Sequence, residues 1–136
     1  MTVVLDTNAV VAVLDDDDRN HRRALAWLAV ADEDLVTTPL AVAEMDHFAR
    51  KTGGHDAASL LWSDFESGAY AVRWWADALG ETIAIARQHP WIGLADASLV
   101  ALAGLLRTNR ILTFDQHFRS LTTPRGESFT VLPADA

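Results

Sequence analysis

Three apolar residues, Val3-Val4-Leu5, run into Asp6-Thr7-Asn8, after which Ala9 to Leu14 resumes as an apolar stretch. A short β-branched run with no polar break reads as a strand buried on both faces, the mark of a parallel sheet under helices. The same theme returns in Arg110-Ile111-Leu112-Thr113-Phe114-Asp115, again apolar and again ending in a carboxylate. Leu35 to Thr38, Ala69 to Arg73 and Phe129 to Leu132 are shorter strand candidates, the last an edge strand before Pro133.

Helical signals fill the intervals. Ala9 to Leu14 reads as a short helix. Asn20 is placed to cap a second, in which Ala24, Leu25, Leu28 and Ala31 form an apolar face and Trp27 is core or interface. Pro39 suits the first turn of a third, carrying Leu40, Val42, Ala43, Met45 and Phe48 until Gly53-Gly54 ends it. Ala57 to Glu66 follows, with Gly68 as its C-cap, and Asp77 to His89 is a weaker helix interrupted by Gly80. Leu94 to Ala103 is apolar nearly all round, so it belongs in the interior. Strands alternating with helices give an α/β fold: three layers, α/β/α, around a central parallel sheet of four or five short strands.

Length and composition leave room for one domain, residues 1–136, with a core of its own. There is no cysteine, so thiolate metal sites and disulfides are excluded, and a reducing cytoplasm is the expected setting. The N-terminus lacks a basic region and makes a poor signal peptide, and no apolar run approaches the ~20 residues that span a bilayer. The net charge of -8 opposes loose nucleic-acid binding. Metal ions that neutralise carboxylates, or a basic partner, would relieve that. Asp15 to Asp18 lacks the alternation and glycine of a calcium loop and reads as a solvated turn.

Four acids stand in positions that strand and helix structure alone does not require. Asp6 and Asp115 end strands, and in a parallel sheet both reach the edge where ligands bind. Asp96 opens the buried helix, where the dipole favours a carboxylate. Glu44 lies four residues from both Leu40 and Phe48 and so shares an apolar face. Simpler roles exist for each: Asp6 as a helix cap, Glu44 as the partner of an arginine. Clustered carboxylates repel unless cations neutralise them, and an oxygen-only set suits Mg²⁺ or Mn²⁺. Thr7, Asn8 and Thr113 would support those acids or orient substrate. The five histidines lie in unrelated contexts, without the pairing that metal-free ribonucleases use.

With VVLDTNAVVAVL at the start, Glu44 in TPLAVAEMDHFAR, then LADASLVALA and RILTFDQHF, the whole chain resembles the PIN-domain ribonucleases, specifically the VapC-type toxins of bacterial toxin–antitoxin pairs. The resemblance implies that Asp6, Glu44, Asp96 and Asp115 form the acidic metal site, with Thr7, Asn8 and Thr113 beside it. It also implies Mg²⁺- or Mn²⁺-dependent cleavage of RNA, on family grounds a structured translation RNA such as tRNA or rRNA; the absence of a histidine pair separately predicts attack by metal-activated water, leaving 5′-phosphate and 3′-hydroxyl ends. A homodimer is implied too, and a small antitoxin whose tail reaches the site. Trp27, Phe48, Trp62 and Phe65 supply more large apolar side chains than so small a domain needs, as a partner groove would. Two other readings stay open. An aspartate-based phosphohydrolase of the haloacid dehalogenase type needs a second Asp two residues after the first, where this chain has Asn8. A non-catalytic module would keep the acids for metal or partner contacts alone.

Overall fold

β1 (Thr2–Leu5) is the middle strand of a five-stranded, wholly parallel sheet in the computed structural model, which describes residues 1–136. The others are β2 (Asp34–Thr37), β3 (Ala71–Val72), β4 (Arg110–Leu112) and β5 (Thr130–Leu132), in the spatial order β3-β2-β1-β4-β5. The chain therefore builds outward from β1 on one side, then crosses back to build outward on the other. The gap between β1 and β4 is the switch point, where a crevice opens at the carboxyl ends of an α/β sheet. Register sets the detail: Leu5 pairs with Leu112, and Asp6 N donates to Leu112 O at 3.1 Å. Asp6 and Thr113 thus lie side by side, one step past the ends of their strands.

Helices complete the α/β/α arrangement: α1 (Thr7–Leu14), α2 (His21–Val30), α3 (Pro39–Glu66), α4 (Ala78–Gln88) and α5 (Leu94–Leu106). Helix α1 starts two residues before the apolar run because Asp6 caps it, with extended backbone and Oδ1 accepting from Thr7 N at 2.7 Å. Asn20 stands at the N-cap of α2 without capping by its side chain; its φ of -99° and ψ of 3° depart from the extended geometry that aims a cap at the first turn. His21 instead ties α2 to α1, its Nδ1 2.7 Å from Ala12 O.

The two helices expected on either side of Gly53-Gly54 run into each other as α3, kinked where Gly54 takes φ 65° and ψ -154°. That region is open essentially to glycine alone. The buried stripe of the first half of α3 is Ala41, Met45 and Ala49. The expected stripe of Leu40, Glu44 and Phe48 is one step round, only partly covered, with Phe48 38% exposed. In α5 every residue from Ala97 to Ala103 is buried, as its all-round apolarity requires. Trp27 belongs to the core and not to a surface groove, whereas Trp62 stays 39% exposed. No helix is long and apolar enough to cross a membrane.

Candidate active site

Asp6, Thr7, Asn8, Glu44, Asp96 and Asp115 line a single pocket of about 330 Å³ at the carboxyl edge of the sheet. Each arrives by a different route. Asp6 sits at the β1–α1 junction, Asp115 follows β4, and Asp96 is in the first turn of α5. Glu44 is on the second turn of α3, whose first turn is fixed against α5 by Thr38 Oγ1 and Ser98 Oγ, 2.7 Å apart.

Thr113 organises the floor. Its hydroxyl donates to Asp6 Oδ2 at 2.7 Å while accepting from Asp115 N at 3.0 Å and Asn8 Nδ2 at 3.2 Å. Asn8 Oδ1 accepts from Phe114 N at 3.0 Å, which locks the amide between β1 and β4. The Thr7 side chain turns away toward Ala41 O, 3.5 Å off; its contribution to the acids is its backbone N–H.

Asp6 is 3% exposed, and its carboxyl is pushed up to about 7, first by burial and then by the negative charge of Asp96. The hydrogen bonds from Thr113 and Thr7 oppose that rise without cancelling it. Burial also raises Asp96, against the pull of His117, while Glu44 and Asp115 add repulsion. No lysine or arginine pairs with Asp6, Glu44 or Asp96, so Glu44 is not an arginine's partner. A buried carboxylate without a cation is costly. The donor set is oxygen throughout, so it fits a hard divalent cation.

Two residues of the site escape the sequence reading. His117, on the 3₁₀ turn Gln116–Ser120, stands between two acids: Nε2 is 2.9 Å from Asp96 Oδ2 and Nδ1 2.7 Å from Asp115 Oδ1. The Nε2 contact has the distance of an ion pair but not the alignment of a hydrogen bond. Asp18, the last of the acidic run, lines the pocket as well, whereas Asp15, Asp16 and Asp17 remain on the turn. The oxygens of those three lie within 4.8 Å of one another, closer than any three of the pocket acids approach. In a run of four identical residues, nothing local marks which one turns inward.

Comparison with known proteins agrees with this architecture. The PIN domain family model matches residues 3–123. Ribonuclease VapC26 of Mycobacterium tuberculosis is 33% identical over 135 residues, covering 96% of this chain and all of that protein. VapC20 of M. tuberculosis, described as a Sarcin-Ricin loop cleaving toxin, superposes with a TM-score of 0.78 at 19% identity, over 84% of this chain and 90% of that one. VapBC2 of Rickettsia felis, bound to a DNA fragment from its promoter, gives 0.68 at 15% identity over 96% and 98%. FitAcB of Neisseria gonorrhoeae gives 0.60 at 20% identity over 96% of both chains. With a five-stranded parallel sheet, an acidic pocket at its switch point and a family match along nearly its full length, the chain belongs to the PIN domain family and is of the VapC type.

Proposed function

We propose that the protein is a divalent-metal-dependent endoribonuclease and the toxin of a toxin–antitoxin pair. The observation that carries this reading is Asp6: a carboxyl almost without solvent, raised to about 7 by burial and by Asp96, and without a basic partner. Such a group is maintained where a cation completes it. Asp6, Glu44, Asp96 and Asp115 are the residues that would hold Mg²⁺ or Mn²⁺. A bound divalent ion supplies charge to a phosphoryl oxygen and acidifies water.

The chain's own groups do the rest. Thr113 and Thr7 N–H fix the Asp6 carboxylate, and Asn8 holds β1 and β4 at constant separation beneath the pocket. In-line attack of water on phosphorus, with departure of the 3′-oxygen, leaves 5′-phosphate and 3′-hydroxyl ends. Both Asp6 oxygens already accept hydrogen bonds, Oδ1 from Thr7 N and Oδ2 from Thr113, and Asn8 is committed to Phe114 N and Thr113, so an aspartyl-phosphate reaction finds no support here.

The substrate class, a structured translation RNA such as tRNA or rRNA, is supported by the likeness to VapC20, a Sarcin-Ricin loop cleaving toxin. An antitoxin partner is supported by the VapBC2 complex and by Phe48 and Leu25, 38% and 43% exposed, the first of them on the pocket wall. A homodimer and a cytoplasmic setting complete the reading. Incubating the protein with total cellular RNA and Mg²⁺ or Mn²⁺, with and without EDTA, tests it. Discrete fragments that appear only with metal and carry 3′-hydroxyl ends support it; 2′,3′-cyclic phosphate ends, or no cleavage, overturn it.

A further inference from the structure

Beside the acidic pocket lies a second concavity of about 340 Å³, and its chemistry is the opposite. Arg19, Asn20, Arg23, Phe114 and Gln116 line it, with no carboxylate among the lining residues. That is unusual in a chain of net charge -8. Carboxylates hold Arg50, Arg110 and Arg119, but neither Arg19 nor Arg23 has one. Asp135, near this wall, is already taken by Arg119. The Arg23 guanidinium sits 5.4 Å from the centre of the Phe114 ring, a stack that restrains it and leaves its N–H donors for another acceptor.

The two concavities share their structure. Asp18 lines the acidic one and Arg19, its neighbour in sequence, lines the basic one. Thr113 lines the basic one and donates to Asp6 in the acidic one. Phe114, under Arg23, donates its N–H to Asn8. A chain of hydrogen bonds and one stack therefore runs from the acids to Arg23.

We propose that Arg19 and Arg23, backed by Phe114, form a phosphate subsite that holds the RNA backbone next to the bond being cut. The proposal rests on the nuclease reading above. It resolves how an acidic protein retains a polyanion: the acids take cations, and the adjoining arginines take a neighbouring phosphate, each neutralised phosphate adding about 0.7 to the salt slope for a single strand.

The test uses the full chain carrying Asp96→Asn, so that RNA is bound and not cut, and a short labelled single-stranded RNA in Mg²⁺ buffer. Arg19→Ala with Arg23→Ala weakens binding about tenfold and lowers the salt slope by about 0.7, the contribution of one phosphate. Arg23→Lys keeps the slope but recovers only part of the affinity, because an ammonium neither stacks nor forks as a guanidinium does. Arg87→Ala, an exposed and unpaired arginine on α4, changes neither. Both arginines are exposed, so thermal melts stay at the parental value. In the cutting protein the same pair raises KM with little effect on kcat. If the protein cuts RNA and the Arg19/Arg23 variant has unchanged KM and salt slope, the subsite is wrong and the nuclease reading stands. If RNA binding is intact but a co-expressed antitoxin no longer co-purifies, the groove takes an acidic protein segment and the RNA assignment is overturned. If the unaltered chain cuts no RNA, both fall.

Discussion

Thr113 Oγ1 donates a 2.7 Å hydrogen bond to Asp6 Oδ2, joining the residues that directly follow β4 and β1. The bond favours the charged carboxylate, so it holds Asp6 lower than burial alone would set it.

Thr113→Val therefore raises Asp6 further and costs about 1–3 kcal/mol in stability, more at pH 8, where Asp6 is ionised, than at pH 5. Thr113→Ser keeps the hydroxyl and most of the stability. Urea unfolding at the two pH values in EDTA reads the difference; an equal loss at both would separate Thr113 from the ionisation of Asp6.

Asp6 also sets a pH dependence for the metal-free protein. Between its ordinary value of 3.8 and its folded value of about 7, the folded chain keeps a proton that the unfolded chain has released. Raising the pH through this window removes stability, at most about 4 kcal/mol for roughly three units. Asp6→Asn abolishes that component, so its melting temperature in EDTA falls less between pH 5 and pH 8 than that of the parent. Mn²⁺, which competes with the proton, raises the parent's melting temperature more at pH 8 than at pH 5.

Asp96→Asn removes a carboxylate raised by burial and by its neighbours Glu44 and Asp115. RNA cleavage is lost, stability in EDTA equals or exceeds that of the parent, and the rise in melting temperature with Mn²⁺ shrinks. A purely helix-capping role predicts the reverse, because Asn caps nearly as well as Asp. Cleavage by Asp96→Asn, or an undiminished Mn²⁺ shift, would falsify the four-acid site.

His117→Ala takes away the group that pulls Asp96 down. Asp96 then ionises at higher pH, and the acid limb of the cleavage profile moves up. His117→Gln, which keeps a polar side chain of similar reach but not the imidazole, moves it the same way. An unmoved profile in both variants assigns His117 to packing against Trp91 and Phe118, its aromatic neighbours.

Gly54→Ala forces a residue with a Cβ into φ 65° and ψ -154°. No neighbouring atom lies within 4 Å of where that Cβ would sit, so the cost is conformational. A loss of about 1–3 kcal/mol is expected from urea unfolding, with kcat of the remaining folded protein unchanged because the kink lies ten residues along α3 from Glu44.

Much of this molecule follows from neighbouring residues alone. Val3-Val4-Leu5 and Ile111-Leu112 have to be buried on both faces, and Leu94 to Ala103 has to be interior, so a parallel sheet under helices is readable directly from the order of apolar and polar positions. Asp6, Asp96 and Asp115 stand out because each interrupts or ends such a run. Glu44 stands out by its spacing of four residues from Leu40 and Phe48, yet the stripe that enters the core is Ala41, Met45 and Ala49. The 3.6-residue period fixes which residues share a face, while only the packing of α3 against α1 and α5 decides which face turns inward.

The remaining features needed contacts across long stretches of chain. Thr113 meets Asp6 because the register pairs Leu5 with Leu112. His117 meets Asp96 because α5 and the turn after β4 converge on one edge, and Asp18 differs from Asp15, Asp16 and Asp17 only in where the turn carries it. Arg23 and Phe114 are ninety-one positions apart and come together through the fold alone. Local sequence governs burial and backbone preference, since these depend on a residue and its near neighbours. Which charges share a pocket depends on crossover and strand register, and those are settled by the free energy of the whole packed chain.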